Sequence, residues 1–358
     1  MVVPSLSAPC KWKRNLNWPY IVMFLITSLS FLFYLAWPVL MNHSKEEEKD
    51  LAQNNIAFVM QLKEPNDSSA IRIVFRLKQC LASICQHSSI NLTIHIFANS
   101  VGKDESLKVL EEIADYCING YYMRVKFYDV KKPVKNILPS VNLIKDAIAI
   151  GGRFNPRLPL FYLPIFMDYI LPEDVTRVIL LDADFFFNTD IKQLFDHFDN
   201  FNEKTLFGMA YVQQPNYKSF FANYREEHPG TKIGAPPPDG VRGYNGGLIM
   251  LHLSNMRRSE LYKQILLDND IKRFGAKYQF RGHLGEQDFF VLLDAEHHEL
   301  FYVVPCQWNR QLCRSFDTED DFDVYHDCPK PHHAYHGNSK IIMPTLEDPN
   351  LFDPAEIQ

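Results

Sequence analysis

Neither sign of charge dominates this chain of 358 residues: 37 Lys and Arg stand against 43 Asp and Glu, a net charge of −6. Nucleic-acid binding usually shows a basic face, so the composition gives that class no support. There is no internal repeat and no long Pro- or Ser-rich linker, and nothing marks an array or a tethered module. No glycine-rich phosphate loop follows the first predicted strand, which argues against a Rossmann dinucleotide site or a P-loop. No small-residue cleavage site follows the apolar run near the N-terminus, which argues against a removed signal peptide.

That run, residues 19–40, carries no charge. It is long enough to cross a bilayer core of ~30 Å as a helix. Lys11, Lys13 and Arg14 precede it, so the N-terminus faces the cytosol and the C-terminus the lumen or exterior. The expected organisation is a cytosolic tail at 1–17, a type II signal anchor at 18–41, a polar stem at 42–54 and a catalytic domain at 55–358. Roughly 300 residues remain beyond the anchor, enough for a sizeable core. Cys80, Cys85, Cys117, Cys306, Cys313 and Cys328 then lie in an oxidising compartment, and Cys10 does not. Glycosylation sequons begin at Asn42, Asn66 and Asn91. Asn42 hugs the membrane, Asn91 opens a strand, and Asn66 sits in an exposed turn.

The domain begins with strands and helices in alternation. Residues 56–60 read as a strand, 71–85 as a helix, 90–97 as a strand, 103–117 as a helix and 121–130 as a strand. This is the pattern of a parallel sheet with crossover helices, with ligand at the carboxyl ends of the strands. Helices are expected at 139–150 and 160–171. A buried strand, Val178 to Leu181, then ends in Asp182-Ala183-Asp184. Two carboxylates there are costly to bury unpaired, and a divalent cation such as Mn²⁺ or Mg²⁺ would stabilise them and bridge to phosphate. Two solvated acids at a strand end are the plain alternative, and the β-α-β-α-β half before them favours the metal.

Further along, residues 213–240 form a proline-rich irregular excursion of the kind that builds binding loops. In Tyr244-Asn-Gly-Gly, Gly246 and Gly247 let backbone approach a ligand closely or, equally, form a plain turn before a core strand. Arg281-Gly-His-Leu-Gly-Glu-Gln-Asp288 suits a hydroxyl-rich ligand or, equally, a capped helix start. A histidine can complete an Asp/Asp site. His332, His333 and His336 all qualify by sequence, with Lys340 near enough to neutralise phosphate.

Taken in order, Asp182-Ala-Asp184, Tyr244-Asn-Gly-Gly, Gly285-Glu-Gln-Asp and His336-Gly-Asn resemble the retaining family 8 glycosyltransferases of the GT-A fold. Arg281-Gly-His-Leu-Gly, Trp308-Asn-Arg-Gln-Leu-Cys and Tyr335-His-Gly-Asn look like the xyloside xylosyltransferases among them. The resemblance spans about residues 55–340. It implies an α/β fold with a mostly parallel central sheet flanked by helices, behind a single transmembrane helix in the endoplasmic reticulum or Golgi. It implies Mn²⁺ on Asp182, Asp184 and His336. The activity implied is transfer of xylose from UDP-xylose, in α-1,3 linkage, to the xylose of an O-linked xylosyl-glucose on EGF-like repeats of Notch-type proteins. Another family 8 donor, UDP-glucose or UDP-galactose, or a glucose acceptor, is the alternative. A non-catalytic membrane lectin is a third reading.

By motif, Val59, Met60 and Gln61 fall near uracil. Ala183, Asn245, Gly246, Leu284, Gly285, Gln287 and Lys340 line the donor site. Gln287 and Asp288 are the catalytic candidates, and Trp308, Asn309 and Asn338 face the acceptor. The resemblance also pairs Cys306 with Cys328. Ser339 stands where the family has a cysteine, so Cys313 is left over or bonds to one of Cys80, Cys85 and Cys117.

Overall fold

The computed structural model describes residues 53–117, 120–149, 158–314, 322–338 and 341–351. The expected tail, anchor and most of the stem, with Cys10 and Asn42, lie outside them, as does Lys340. Among the described residues no helix is long and apolar enough to cross a membrane.

The first half follows the predicted alternation. Strand β1 (Asn55–Met60) leads through helix α1 (Ser68–His87) to β2 (Leu92–Ala98), then through α2 (Ser100–Glu112) to β3 (Met123–Asp129). Both strand pairs are parallel, as strands joined by crossover helices must be. Helix α3 (Lys131–Ile148) follows, and it starts earlier than expected, with Pro139 inside it. An interior proline costs a hydrogen bond. The apolar face of Ile137, Val141, Ile144 and Ile148 is buried and offsets that cost.

The stretch expected as one helix at 160–171 is instead three short turns, Leu158–Phe161, Leu163–Phe166 and Met167–Ile170. Pro164 lacks the amide that would carry a helix through it. β4 (Val178–Leu181) and β5 (Phe185–Phe187) come next, and the Asp182–Asp184 turn separates them. β6 (Phe207–Tyr211), β7 (Tyr244–Leu251) and β8 (Phe301–Val303) complete the main sheet. Its seven strands run β3-β2-β1-β4-β7-β6-β8, and β7 alone is antiparallel to both neighbours. The sheet is therefore mixed, with parallel pairing dominant.

β1 has β2 on one side and β4 on the other. The order of strands reverses there, and the crevice beyond their carboxyl ends is the natural ligand site. Both faces of the sheet are covered. Ala57, Phe97, Leu180 and Ile249 join the core on one face. Ile56, Phe58, Met60, Ile179, Leu181 and Leu248 join the other. This explains why the strands read as continuous apolar runs.

A small sheet, β5-β10-β9, is built from β5, β9 (Arg310–Gln311) and β10 (Ala334–His336). Disulfides join Cys85 to Cys117 and Cys306 to Cys328. The second is the pairing expected. Cys313 bonds to none of the three N-terminal cysteines: it and Cys80 are buried thiols. Asn66 is exposed. Asn91 accepts from the amide of Tyr122 through Oδ1 at 2.8 Å.

The chain leaving β1 is held by Asn99, which bonds both the amide and the carbonyl of Leu62 and also caps α2. At Gly102 an added Cβ would stand 1.8 Å from the carbonyl oxygen of Met60. Backbone cannot yield that far, so Gly102→Ala is expected to cost about 1–3 kcal/mol. Urea melts measure this. An unchanged midpoint would show that α2 does not close on the end of β1.

Candidate active site

Asp182 leaves β4 with its amide bonded to the carbonyl of Gly247 at 2.8 Å. Asp184 offers its carbonyl to the amide of Gly337 at 2.8 Å. Between these bonds β10 pairs antiparallel to β5, with His336 opposite Phe185. The His336 ring stacks on Phe185 at 4.5 Å. Pairing thus carries a histidine from near the C-terminus to the acids at the end of β4. His336 Nε2 faces Asp184 Oδ1 at 3.4 Å and Asp182 Oδ2 at 3.7 Å. One ligand atom from each residue falls within 4.8 Å of the others.

His336 is only 2% exposed. Its Nδ1 bonds Asn309 Oδ1 at 3.0 Å, and the amide of Asn309 bonds Asn245 Oδ1 at 2.9 Å. An acceptor on Nδ1 fixes the tautomer, turning the lone pair of Nε2 toward the acids. That Nε2 is buried without a hydrogen-bond partner, and a buried polar atom left so is costly. Two carboxylates and an oriented imidazole lone pair fit Mn²⁺. Without an ion, burial lowers the His336 pKa, but the two carboxylates overcome this and push it up to about 9. Burial raises Asp184, yet His336 and Arg76 together hold it below the usual carboxylate range.

The acids open onto a cleft of about 620 Å³, lined also by Asn245, Leu284, Gln287 and Asn338. A second cavity of about 190 Å³ lies beside Asp182 and Ala183 at the end of β1. Val59 and Gln61 line it, whereas Met60, one residue out of phase, points into the opposite core. Gln61 Oε1 is buried there without a partner. Gly246 and Gly247 form the floor of the cleft. A Cβ on Gly247 would meet the His336 ring at 2.2 Å, and one on Gly246 would meet Glu286 Oε1 at 2.6 Å.

Several expected residues have other tasks. Gln287 lines the cleft and accepts from the amide of Gly246 at 2.6 Å. Asp288, read from sequence as catalytic, is 2% exposed and does not line the cleft. It accepts from Tyr217 Oη at 3.1 Å and the amide of Leu284 at 2.8 Å. It thereby holds the loop that leads into helix α4 (Glu286–Glu296). Gly285 precedes that helix at φ 74°, a conformation glycine adopts without strain. Of the three residues expected to face the acceptor, only Asn338 lines the cleft. Trp308 is buried against the His333 ring at 4.7 Å. Asn309 is fully buried, its amide spent on His336 and Asn245.

Sequence reading missed Phe161, Gln214, Asn216, His283 and Glu286 as cleft residues. Glu286 borders both cavities, with Oε2 buried and unpartnered, and burial raises its pKa well above the ordinary value. Its place beside Gln287 was a signal, and Gln214 and Asn216 fall within the 213–240 excursion read as a binding loop; Phe161 carried none.

Gly247→Ala must turn the His336 ring, so its affinity for Mn²⁺ is expected to fall about 10- to 100-fold with the fold retained. Calorimetric titration measures it, and wild-type affinity would remove His336 from the metal centre. Burial also pushes Asp288 from 3.8 up to about 7. Between those values the folded chain keeps a proton that the unfolded chain has lost, so this group's contribution to stability declines as pH rises through that window. The melting temperature of Asp288→Asn should therefore decline less with pH there than that of the wild type. Parallel curves would contradict the burial of the carboxyl.

No protein-family model matches the chain. It is 36% identical over 267 residues to xyloside xylosyltransferase 1 of Mus musculus, covering 74% of this chain and 67% of that protein. It is 34% identical over 276 residues to xyloside xylosyltransferase 1 of Homo sapiens, covering 76% of this chain and 70% of that protein. The crystal structure of the mouse protein in its apo form matches with a TM-score of 0.73 at 31% identity, covering 80% of this chain and 98% of that one. With its α/β GT-A-like fold and an Asp-Asp-His centre at the carboxyl edge of the sheet, the chain belongs to the xyloside xylosyltransferase family.

Proposed function

We propose that this chain transfers xylose from UDP-xylose to the xylose of an O-linked xylosyl-glucose on EGF-like repeats, in α-1,3 linkage with retention. The observation that carries the reading is the unpartnered Nε2 of His336, facing Asp182 and Asp184 where the two cavities adjoin. Mn²⁺ held by these residues would supply Lewis-acid stabilisation of the leaving diphosphate. The small cavity at the end of β1 suits the uracil ring, with Gln61 offering an acceptor to it. The wide cleft suits the donor sugar and acceptor, over Gly246, Leu284 and Gln287.

Retention by double displacement needs a nucleophile on the far face of the sugar. Gln287 is an amide with its oxygen already tied to Gly246, and Asp288 is enclosed off the cleft. Glu286 does border the cleft, but burial disfavours the ionised form a nucleophile needs. The acceptor hydroxyl is then the attacking group, on the same face as the departing UDP, and its proton passes to the leaving phosphate. Gln287 stabilises positive charge on the sugar ring as the bond breaks. Residence in the endoplasmic reticulum or Golgi, with residues 18–41 as a type II anchor, completes the proposal and supplies the glycoprotein acceptors.

The test is product mass and linkage after the purified full chain is incubated with Mn²⁺, a xylosyl-glucosyl acceptor and either UDP-xylose or UDP-glucose. An added pentose in α-1,3 linkage is expected from UDP-xylose; turnover with UDP-glucose alone would overturn the reading. Asp184→Asn should reduce turnover at least ~100-fold in protein that still folds, since the loss falls on transition-state charge. A covalent glycosyl adduct trapped on Glu286 would sink same-face attack.

A further inference from the structure

Arg76, on α1, is set directly against the metal centre. Its Nη1 donates to Asp184 Oδ2 at 2.8 Å, and its Nη2 donates to the carbonyl of Ile341 at 3.0 Å. Its side chain is only 12% exposed. Held at both nitrogens and enclosed, the guanidinium cannot swing into solvent when a cation enters beside it. Three carboxylates, Asp182, Asp184 and Glu286, line the same cleft.

Two effects of Arg76 oppose one another. Its charge-assisted hydrogen bond keeps Asp184 ionised and oriented, which favours cation binding. Its fixed charge repels a divalent ion held on the same carboxylate. In a partly enclosed site the repulsion between a single and a double positive charge exceeds the net worth of one hydrogen bond. The repulsion wins. A bound diphosphate changes the balance, because its negative charge attracts Arg76 and the ion alike.

We propose that Arg76 is the resident counter-charge of this centre: it stabilises the acids before the cation arrives, weakens cation binding on its own, and so makes firm binding depend on a diphosphate ligand. The inference rests on the metal reading above. Coupling of this kind is reciprocal, so the cation tightens the nucleotide by the same factor.

The experiment is titration of Mn²⁺ into the purified full chain, with and without saturating UDP. In wild type, UDP is expected to tighten Mn²⁺ at least tenfold. Without UDP, Arg76→Gln should bind Mn²⁺ at least tenfold more tightly than wild type, and with UDP the gain should shrink below threefold. Arg76→Lys, which keeps the charge, should stay within threefold of wild type throughout. The metal-free Arg76→Gln protein should melt below wild type, with Mn²⁺ closing the gap. Arg76→Gln binding Mn²⁺ no more tightly than wild type overturns the proposal, as does Arg76→Lys moving as far as Arg76→Gln. If Arg76→Gln does not fold, the wild-type comparison decides: absence of coupling to UDP overturns it. A wild type that binds no Mn²⁺ under either condition overturns the metal reading itself, whereas binding with Arg76→Gln unaffected removes only the role of Arg76.

Discussion

The candidate site depends on the pairing of β10 with β5. Asp182 and Asp184 sit at the end of a buried strand and by themselves form a pair of like charges. The three-residue ladder from Phe185 to His336 brings the imidazole to them, and the bond from Gly337 to the carbonyl of Asp184 closes it. Everything around the pairing serves it. Phe185 gives the ring a flat surface, Asn309 fixes its tautomer, and Gly247 leaves it room. A side chain held from that many directions cannot relax away from an awkward neighbour, and this is how a buried nitrogen stays without a hydrogen bond, attracted to the acids only by charge.

Two kinds of polar group serve the cleft, one set behind its walls and one set in them. Asp288 and Asn309 are buried and satisfied, so their work is mechanical. Gln61 Oε1, Asn216 Oδ1, Glu286 Oε2 and His336 Nε2 are buried and unsatisfied, and all four belong to residues that line one or both cavities. The division separates the residues that hold the site from those whose bonds await substrate. It also explains how an acidic residue of the Glu-Gln-Asp motif can be essential to the geometry while standing apart from the chemistry.

Much of this was legible in the sequence. The β-α-β-α-β half, the Asp-x-Asp strand end and the glycine pair are local patterns whose meaning depends on few other residues. The side-chain directions of the later motifs were not legible. Trp308 and Asn309 belong to a motif of binding character, but the short β9 ladder turns one into the core and the other onto His336. No periodicity records a two-residue ladder. The broken segment at 158–170 shows a related limit: its apolar spacing is helical, and Pro164 overrides it. Phe161, freed by that break, reaches both cavities, a position no helix register would have suggested.

The ladder between β5 and β10 also sets an order of assembly. The main sheet is complete in sequence by Val303, whereas the third residue of the candidate centre is His336. During synthesis the body of the domain is made before the residue that completes the candidate centre. A chain interrupted between these points would carry the whole nucleotide-side sheet and both acids, yet no centre. Competence therefore reports that translation reached the end of the domain, and a truncated product is silent, its two acids left without their imidazole.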